Sequence, residues 1–193
     1  MDVSTKIPGV TSGQAPMAAS LPVTIASNQT PVPTSMLNYY YSVAGKMFYA
    51  SSNYVTTGAA AERPMMLVRN PVASGISLIF DACMLNPPGS GSCIYRTYLN
   101  ATVTVNGTVV TAVGGRQTGQ AAAVGLITTI PTVTANGSLI DSTRIINTAD
   151  CITMNYDFGF ILEPGNNLLF TVEKSGAGVD TSVDLAYAEV ATP

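Results

Sequence analysis

The side chains best suited to chemistry in this sequence are carboxylates: Asp141, Asp150, Asp157, Glu163, Asp180 and Asp184 all fall in the last third of the chain. Glycoside hydrolysis needs a pair of them, one to protonate the leaving oxygen and one to attack or to activate water, and calcium needs a cluster. None follows the close D-x-[DN]-x-[DN]-G spacing of a calcium loop, and solvated charges that deter edge-to-edge strand pairing account for them. The chain has no histidine, which removes Ser-His-Asp and Cys-His catalysis and any metal site built on imidazole. Its three cysteines, Cys83, Cys93 and Cys151, are odd in number and lack a CxxC spacing, so they read as small buried hydrophobes.

Asn86–Ser92 (NPPGSGS) has the glycines of a phosphate loop but not the Gly-Lys-[Ser/Thr] that should follow, and Pro87 and Pro88 remove amide donors that a phosphate would need. Arg116 stands among Gly114, Gly115 and Gly119 with no strand-to-helix frame, the pattern of a surface loop. Tyr39, Tyr40 and Tyr41 are of a type that stacks on sugars or bases. On a strand, Tyr39 and Tyr41 would share one face and Tyr40 the other, which suits packing in a core or at a subunit interface. No catalytic residue, cofactor site or metal site is expected, and the chain reads as non-enzymatic.

The elements that must carry these residues are strands. The chain has 193 residues, of which only 10% are charged, against roughly 25% in an ordinary domain. Residues 1–100 hold five bases and three acids, and residues 101–193 hold three bases and eight acids, with no Lys/Arg cluster in either half. Neither nucleic acid nor an anionic membrane is an expected partner. The opening Met1–Lys6 lacks the basic-then-apolar order of a secretion leader, so assembly in a cytoplasm is expected.

Residues 1–36 hold five of the twelve prolines, and no charged side chain occurs from Ile7 to Gly45. This segment reads as an extended N-terminal arm in which Leu21, Val23 and Ile25 alternate with Pro22 and Thr24. Residues 37–193 read as the body. Strands are expected at Leu37–Val43 and Lys46–Ser51 around an Ala44-Gly45 turn, then at Met65–Arg69, Ile76–Leu85, Cys93–Leu99, Ala101–Val105, Leu126–Ala135, Ser138–Asn147, Cys151–Leu162, Leu168–Glu173 and Val179–Val190. Ile76–Leu85 is apolar on both faces and reads as covered on both sides. Asn106-Gly107 predicts a type I′ turn that folds Thr108–Val113 back onto Ala101–Val105, and Asn136-Gly137 predicts another turn. Gly114–Gly125 is open between a loop and one short helix. The fold class is an all-β antiparallel sandwich, jelly-roll-like.

Ser20-Leu21-Pro22-Val23-Thr24-Ile25-Ala26-Ser27-Asn28-Gln29 followed by Pro31-Val32-Pro33 resembles a segment that recurs in virion proteins of tailed bacteriophages, with Asn28 where aspartate is more usual. Asn70-Pro71-Val72-Ala73-Ser74-Gly75 ahead of its apolar strand, and Leu162-Glu163-Pro164-Gly165 ahead of Leu168–Val172, are similar to the same group. The resemblance implies a structural virion protein with a sandwich body, often trimeric, attached to the particle by its arm; it transfers no catalytic residue. The expectation is a capsid decoration or cement protein that stabilises the shell. It would bind the major capsid protein or another virion protein through Leu21, Val23, Ile25, Pro31 and Val32, and form a homotrimer at Tyr39, Tyr40 and Tyr41. The alternatives are a tail, collar or fibre-base component, or a receptor- or carbohydrate-binding module working through Asn86–Ser92 and Gly114–Gln120 with nearby tyrosines.

Overall fold

The computed structural model describes residues 34–53, 55–57, 61–86, 92–116, 118–146, 152–174 and 179–192. A helix, α1 (Thr34–Val43), precedes fourteen strands: β1 (Met47–Ser51), β2 (Val55–Thr57), β3 (Arg63–Arg69), β4 (Ile76–Asn86), β5 (Ser92–Leu99), β6 (Thr102–Val105), β7 (Thr108–Val110), β8 (Val113–Gly114), β9 (Leu126–Thr129), β10 (Thr132–Ala135), β11 (Ser138–Ile146), β12 (Ile152–Leu162), β13 (Asn167–Lys174) and β14 (Val179–Ala191). One sheet runs β12-β4-β14-β1-β8 with β2 also on β14, and the other runs β11-β5-β13-β3-β9-β7. Every strand pair is antiparallel. Taking β1, β3, β4, β5, β11, β12, β13 and β14 as eight successive principal strands, the sheets are ordered 1-8-3-6 and 2-7-4-5. That is a jelly roll, as the spacing of short strands predicted.

The core lies between the sheets. Phe48, Leu78, Phe80, Cys83, Leu85, Val183, Leu185 and Tyr187 come from the first, and Met66, Val68, Tyr95, Ile127, Leu168, Phe170 and Val172 from the second. Aromatic rings line up across the first sheet, Phe48 to Tyr187 at 5.7 Å, Tyr187 to Phe80 at 6.0 Å and Phe80 to Phe160 at 5.7 Å. The two-faced apolar run of β4 has a different cause from the one predicted. Phe80 pairs with Tyr187 and Ala82 with Ala186, so Asp81 is an extra residue in the ladder. This bulge shifts the alternation, and Leu78, Phe80, Cys83 and Leu85 all turn to the core while the other face remains outside.

Leu37–Val43 is not a strand but the second half of α1. A short aromatic run does not separate the two periods. The deciding feature is Gly45 at φ +67, which ends a helix as readily as it turns a hairpin, with Ala44 N–H donating to Tyr40 O at 2.9 Å and Lys46 N–H to Tyr41 O at 2.8 Å. Gly114–Gly125 forms no helix: β8 joins the edge of β1, and Gln120 donates its side-chain amide to Met47 O at 2.7 Å.

The Asn-Gly pairs are not hairpin turns either. β7 pairs with β9, and β6 pairs with β10, so Leu126–Ala135 is broken at Ile130 into two strands. The registers Leu99↔Ser138, Thr102↔Ala135, Val105↔Thr132 and Thr108↔Thr129 describe one long hairpin with two corners. Its lower end, β5 and β11, joins the second sheet beside β13. Its upper end, β9 and β7, rejoins the same sheet beside β3. Between the corners the β6–β10 ribbon covers the outer side of that sheet, closing a small second core of Leu67, Ala101 and Leu169 with Tyr98, Val103 and Val133. At each corner a non-glycine residue in the left-handed region faces a glycine: Asn100 (φ +60) lies against Gly137 (φ +89), and Ile130 (φ +51) against Gly107 (φ +85). One corner is tied down by Glu62, which accepts from Asn136 Nδ2 at 3.2 Å and from Thr171 Oγ1 at 2.6 Å and pairs with Arg96 at 3.2 Å.

Lys174 is 3% exposed, sits opposite Cys93 across β13 and β5, and its Nζ has no hydrogen-bond partner among the described residues. Burial holds its amine below the ordinary 10.5, partly offset by Asp180 and Cys93. A buried ammonium without a hydrogen bond costs stability that the Asp180 charge only partly returns, so Lys174→Met is expected to stabilise the fold by about 1–3 kcal/mol at pH 7. The folded state binds this proton more weakly than the unfolded state. The penalty is therefore complete below the depressed folded pKa and fades as pH rises toward 10.5. Urea unfolding of both chains at pH 7 and pH 10 should show the gap narrowing; a gap that widens with pH would contradict this account.

Candidate functional site: an outward cleft on the first sheet

Strand register places three neighbouring strands side by side on the outer face of the first sheet. One rung is Tyr49–Ala186–Ala82 and the next is Ser51–Asp184–Met84. The two alanines leave a dent between larger side chains. Beside it rises the segment from Thr108 to Val113, which leaves the second sheet at β7 and joins β1 at β8. Together they enclose a cleft of about 720 Å³.

The walls are held from behind. Gly115 donates to Met47 O at 2.8 Å and lies under the Tyr49 ring, so closely that a Cβ there would be 3.2 Å from Cε2. Tyr49 is 46% exposed and Met84 40%, so both present apolar surface to the opening. Asp184 Oδ2 accepts from Asn86 Nδ2 at 2.7 Å, and the same amide nitrogen donates to Ser182 Oγ at 2.7 Å. Asn53, in the left-handed region at φ +53, marks one end of the cleft; its N–H donates to Ser51 Oγ at 3.1 Å. Among the described residues the lining contains one carboxylate and no Lys or Arg.

The arm residues Leu21, Val23, Ile25, Pro31 and Val32 lie outside the described residues. Tyr39, Tyr40 and Tyr41 fall on α1 rather than on a strand, with Tyr39 and Tyr40 exposed and Tyr41 half-buried. The Tyr40 and Tyr41 rings meet edge to face at 5.5 Å. Cys83 and Cys93 are buried free thiols, the first pushed well above its ordinary pKa by burial and the second to about 11 for the same reason; Cys151 lies outside the described residues. Of the carboxylates, Glu163 accepts from Ser77 Oγ at 2.9 Å and Asp141 from Thr143 Oγ1 at 3.3 Å, each away from the cleft. Among the described residues no three His, Cys, Asp or Glu side chains converge.

Tyr49, Met84 and the pairing of Asp184 with the cleft were not visible in the sequence as a group. They come from strands that are neighbours only through the closing strand β14, and strand order is what local pattern does not encode. Asp184 alone was singled out, as an edge charge.

No protein-family model and no curated protein matches the chain. One solved structure, that of the T13 IBDV viral particle, aligns over 77% of this chain at 9% identity with a TM-score of 0.21. The chain spans 40% of the length of that IBDV chain. A likeness of that degree bears on neither the site nor its chemistry.

Proposed function

We propose that this chain is a non-enzymatic structural protein of a tailed-bacteriophage virion, a capsid decoration protein that forms a homotrimer and attaches through residues 1–36. The observation that carries this is the apolar surface of α1. Tyr39 is 73% exposed, Tyr40 53% and Val43 55%, on a helix that leads directly from a segment without a charged side chain. Exposed aromatic surface of that kind gains by association, at roughly 25 cal/mol per Å² before the costs of association are subtracted. The jelly-roll topology is one that viral capsid domains and lectins share, which is an analogy of fold and not of site. The work would be mechanical: each bound copy adds interface that must be broken before the shell opens.

Deleting residues 1–36 is expected to leave the sandwich intact by circular dichroism and to abolish co-sedimentation with particles. Retained binding at full occupancy would refute the attachment role. Tyr39→Ser with Tyr40→Ser is expected to shift the sedimentation coefficient of the full chain from trimer to monomer. A copy number of hundreds per particle places it on the shell, and a handful places it on the tail or collar.

A further inference from the structure

We propose that the cleft over Tyr49, Asp184 and Met84 is a binding site for a neutral saccharide. Its volume, about 720 Å³, is in the range of small-molecule sites, roughly 300–1,000 Å³, and accommodates a disaccharide. The floor offers bare methyl surface at Ala82 and Ala186 beside the Tyr49 ring, a surface that suits the C–H face of a pyranose. Hydroxyl groups are donors that a carboxylate accepts strongly, and Asp184 is held in place at this opening by Asn86 Nδ2, which donates to its Oδ2. Ser51, Asn53 and Thr111 place neutral groups able to donate and accept around the same opening.

The charge pattern narrows the ligand. Among the described residues of the lining, one carboxylate and no cation disfavour a phosphate, a uronate or any other anionic ligand. A polypeptide strand fits less well, since the face of a sheet has its own backbone groups already paired and leaves those of the strand unsatisfied. A saccharide brings its donors and acceptors on its periphery. The walls stand on strands and on the Gly115 contact, so the site is formed before the ligand arrives.

The test uses the full chain and four neutral disaccharides: maltose, cellobiose, lactose and N,N′-diacetylchitobiose. Amide-resolved NMR titration is expected to show saturable binding of at least one of them, millimolar or tighter, with shifts centred on Tyr49, Met84 and Asp184. Tyr49→Ala and Asp184→Asn should each weaken it by about tenfold or more. Val72→Ser, in the exposed turn ahead of β4, should leave it unchanged. Ala186→Leu, which fills the floor without removing a wall, gives the same loss if either of the first two variants unfolds. The proposal is overturned if none of the four binds, if the shifts lie elsewhere, or if Tyr49→Ala and Ala186→Leu both bind as the unaltered chain does. It is also overturned if a synthetic peptide of residues 18–30 displaces the sugar and binds more tightly, which would make the cleft a seat for the arm. Particle binding by these cleft variants is read separately, so loss of the saccharide site leaves the decoration role standing.

Discussion

Asn70→Leu is expected to lower the stability of the sandwich by about 3–5 kcal/mol, because leucine matches the branching of asparagine but is bulkier and brings no polar group. Asn70 is 2% exposed and uses all its polar groups. Its Nδ2 donates to Ile76 O and to Leu162 O, both at 2.8 Å, and its Oδ1 accepts from Ser74 Oγ at 2.7 Å. Its backbone N–H donates to Asn166 O at 3.0 Å, and its carbonyl accepts from Gly165 N–H at 2.9 Å. One side chain thus joins the start of β4 to the end of β12, and its backbone joins both to the turn before β13. Leucine takes the side-chain donor from the buried Leu162 carbonyl, an orphaning that costs about 1–3 kcal/mol, and leaves Ile76 O only the longer bond from Ser74 Oγ at 3.2 Å. Asn70→Asp should be worse still, since it turns an acceptor toward both carbonyls. Ser74→Ala removes a part-buried hydroxyl that donates to Asn70 Oδ1 and, at a longer 3.2 Å, to Ile76 O and accepts from Ile76 N–H at 3.3 Å, and it should cost about 1 kcal/mol. Urea midpoints of the three variants give the order; an Asn70→Leu loss no greater than that of Ser74→Ala would show that the hub is dispensable.

Gly137→Ala, and separately Gly107→Ala, should each cost about 3 kcal/mol or more, because two penalties coincide. Both glycines lie in the left-handed region, at φ +89 and +85. Both also have a carbonyl where a Cβ would go, that of Leu99 for Gly137 and that of Thr129 for Gly107. Gly75 separates the two effects. Its φ is +65, but nothing lies within 4 Å of its Cβ position, so Gly75→Ala should cost only the conformational part, about 1 kcal/mol. Hydrogen exchange should show the added loss confined to β6, β10 and the second core they close. Equal costs at all three glycines would mean that the close approach at the corners carries no weight.

The sandwich was legible from spacing alone, and the reason is physical. Short alternating runs separated by Gly, Pro and Asn can bury apolar faces only by stacking two sheets. The strand boundaries of β4, β5, β11, β13 and β14 followed from the same alternation. What the sequence concealed was whatever depended on a partner far along the chain. Asn106-Gly107 has the local chemistry of a type I′ turn, yet Thr108 pairs with Thr129 and not with the strand just before it, because the long hairpin offers a longer ladder. The Asp81 bulge is invisible to a count of alternating residues, although an acidic residue inside an apolar run was the one available sign. Asn70-Pro71 and Pro164-Gly165 read locally as two separate breaks between strands, and the structure shows Asn70 touching both Leu162 and Gly165. The cleft was hidden for the same reason: alanines at positions 82 and 186 mean nothing until β14 lies between β1 and β4.

The hairpin that leaves the second sheet beside β13 and returns beside β3 has the form of a handle bolted at both ends. Its two rails, β6 and β10, pair with each other and with no other strand among the described residues. Foreign residues added in matched numbers to both rails would lengthen the handle while both bolts kept their register, whereas an addition to one rail alone would turn Val103 or Val133 off the sheet and open the pocket of apolar side chains beneath. A peptide grafted onto this sandwich of two sheets would find its natural place in this span.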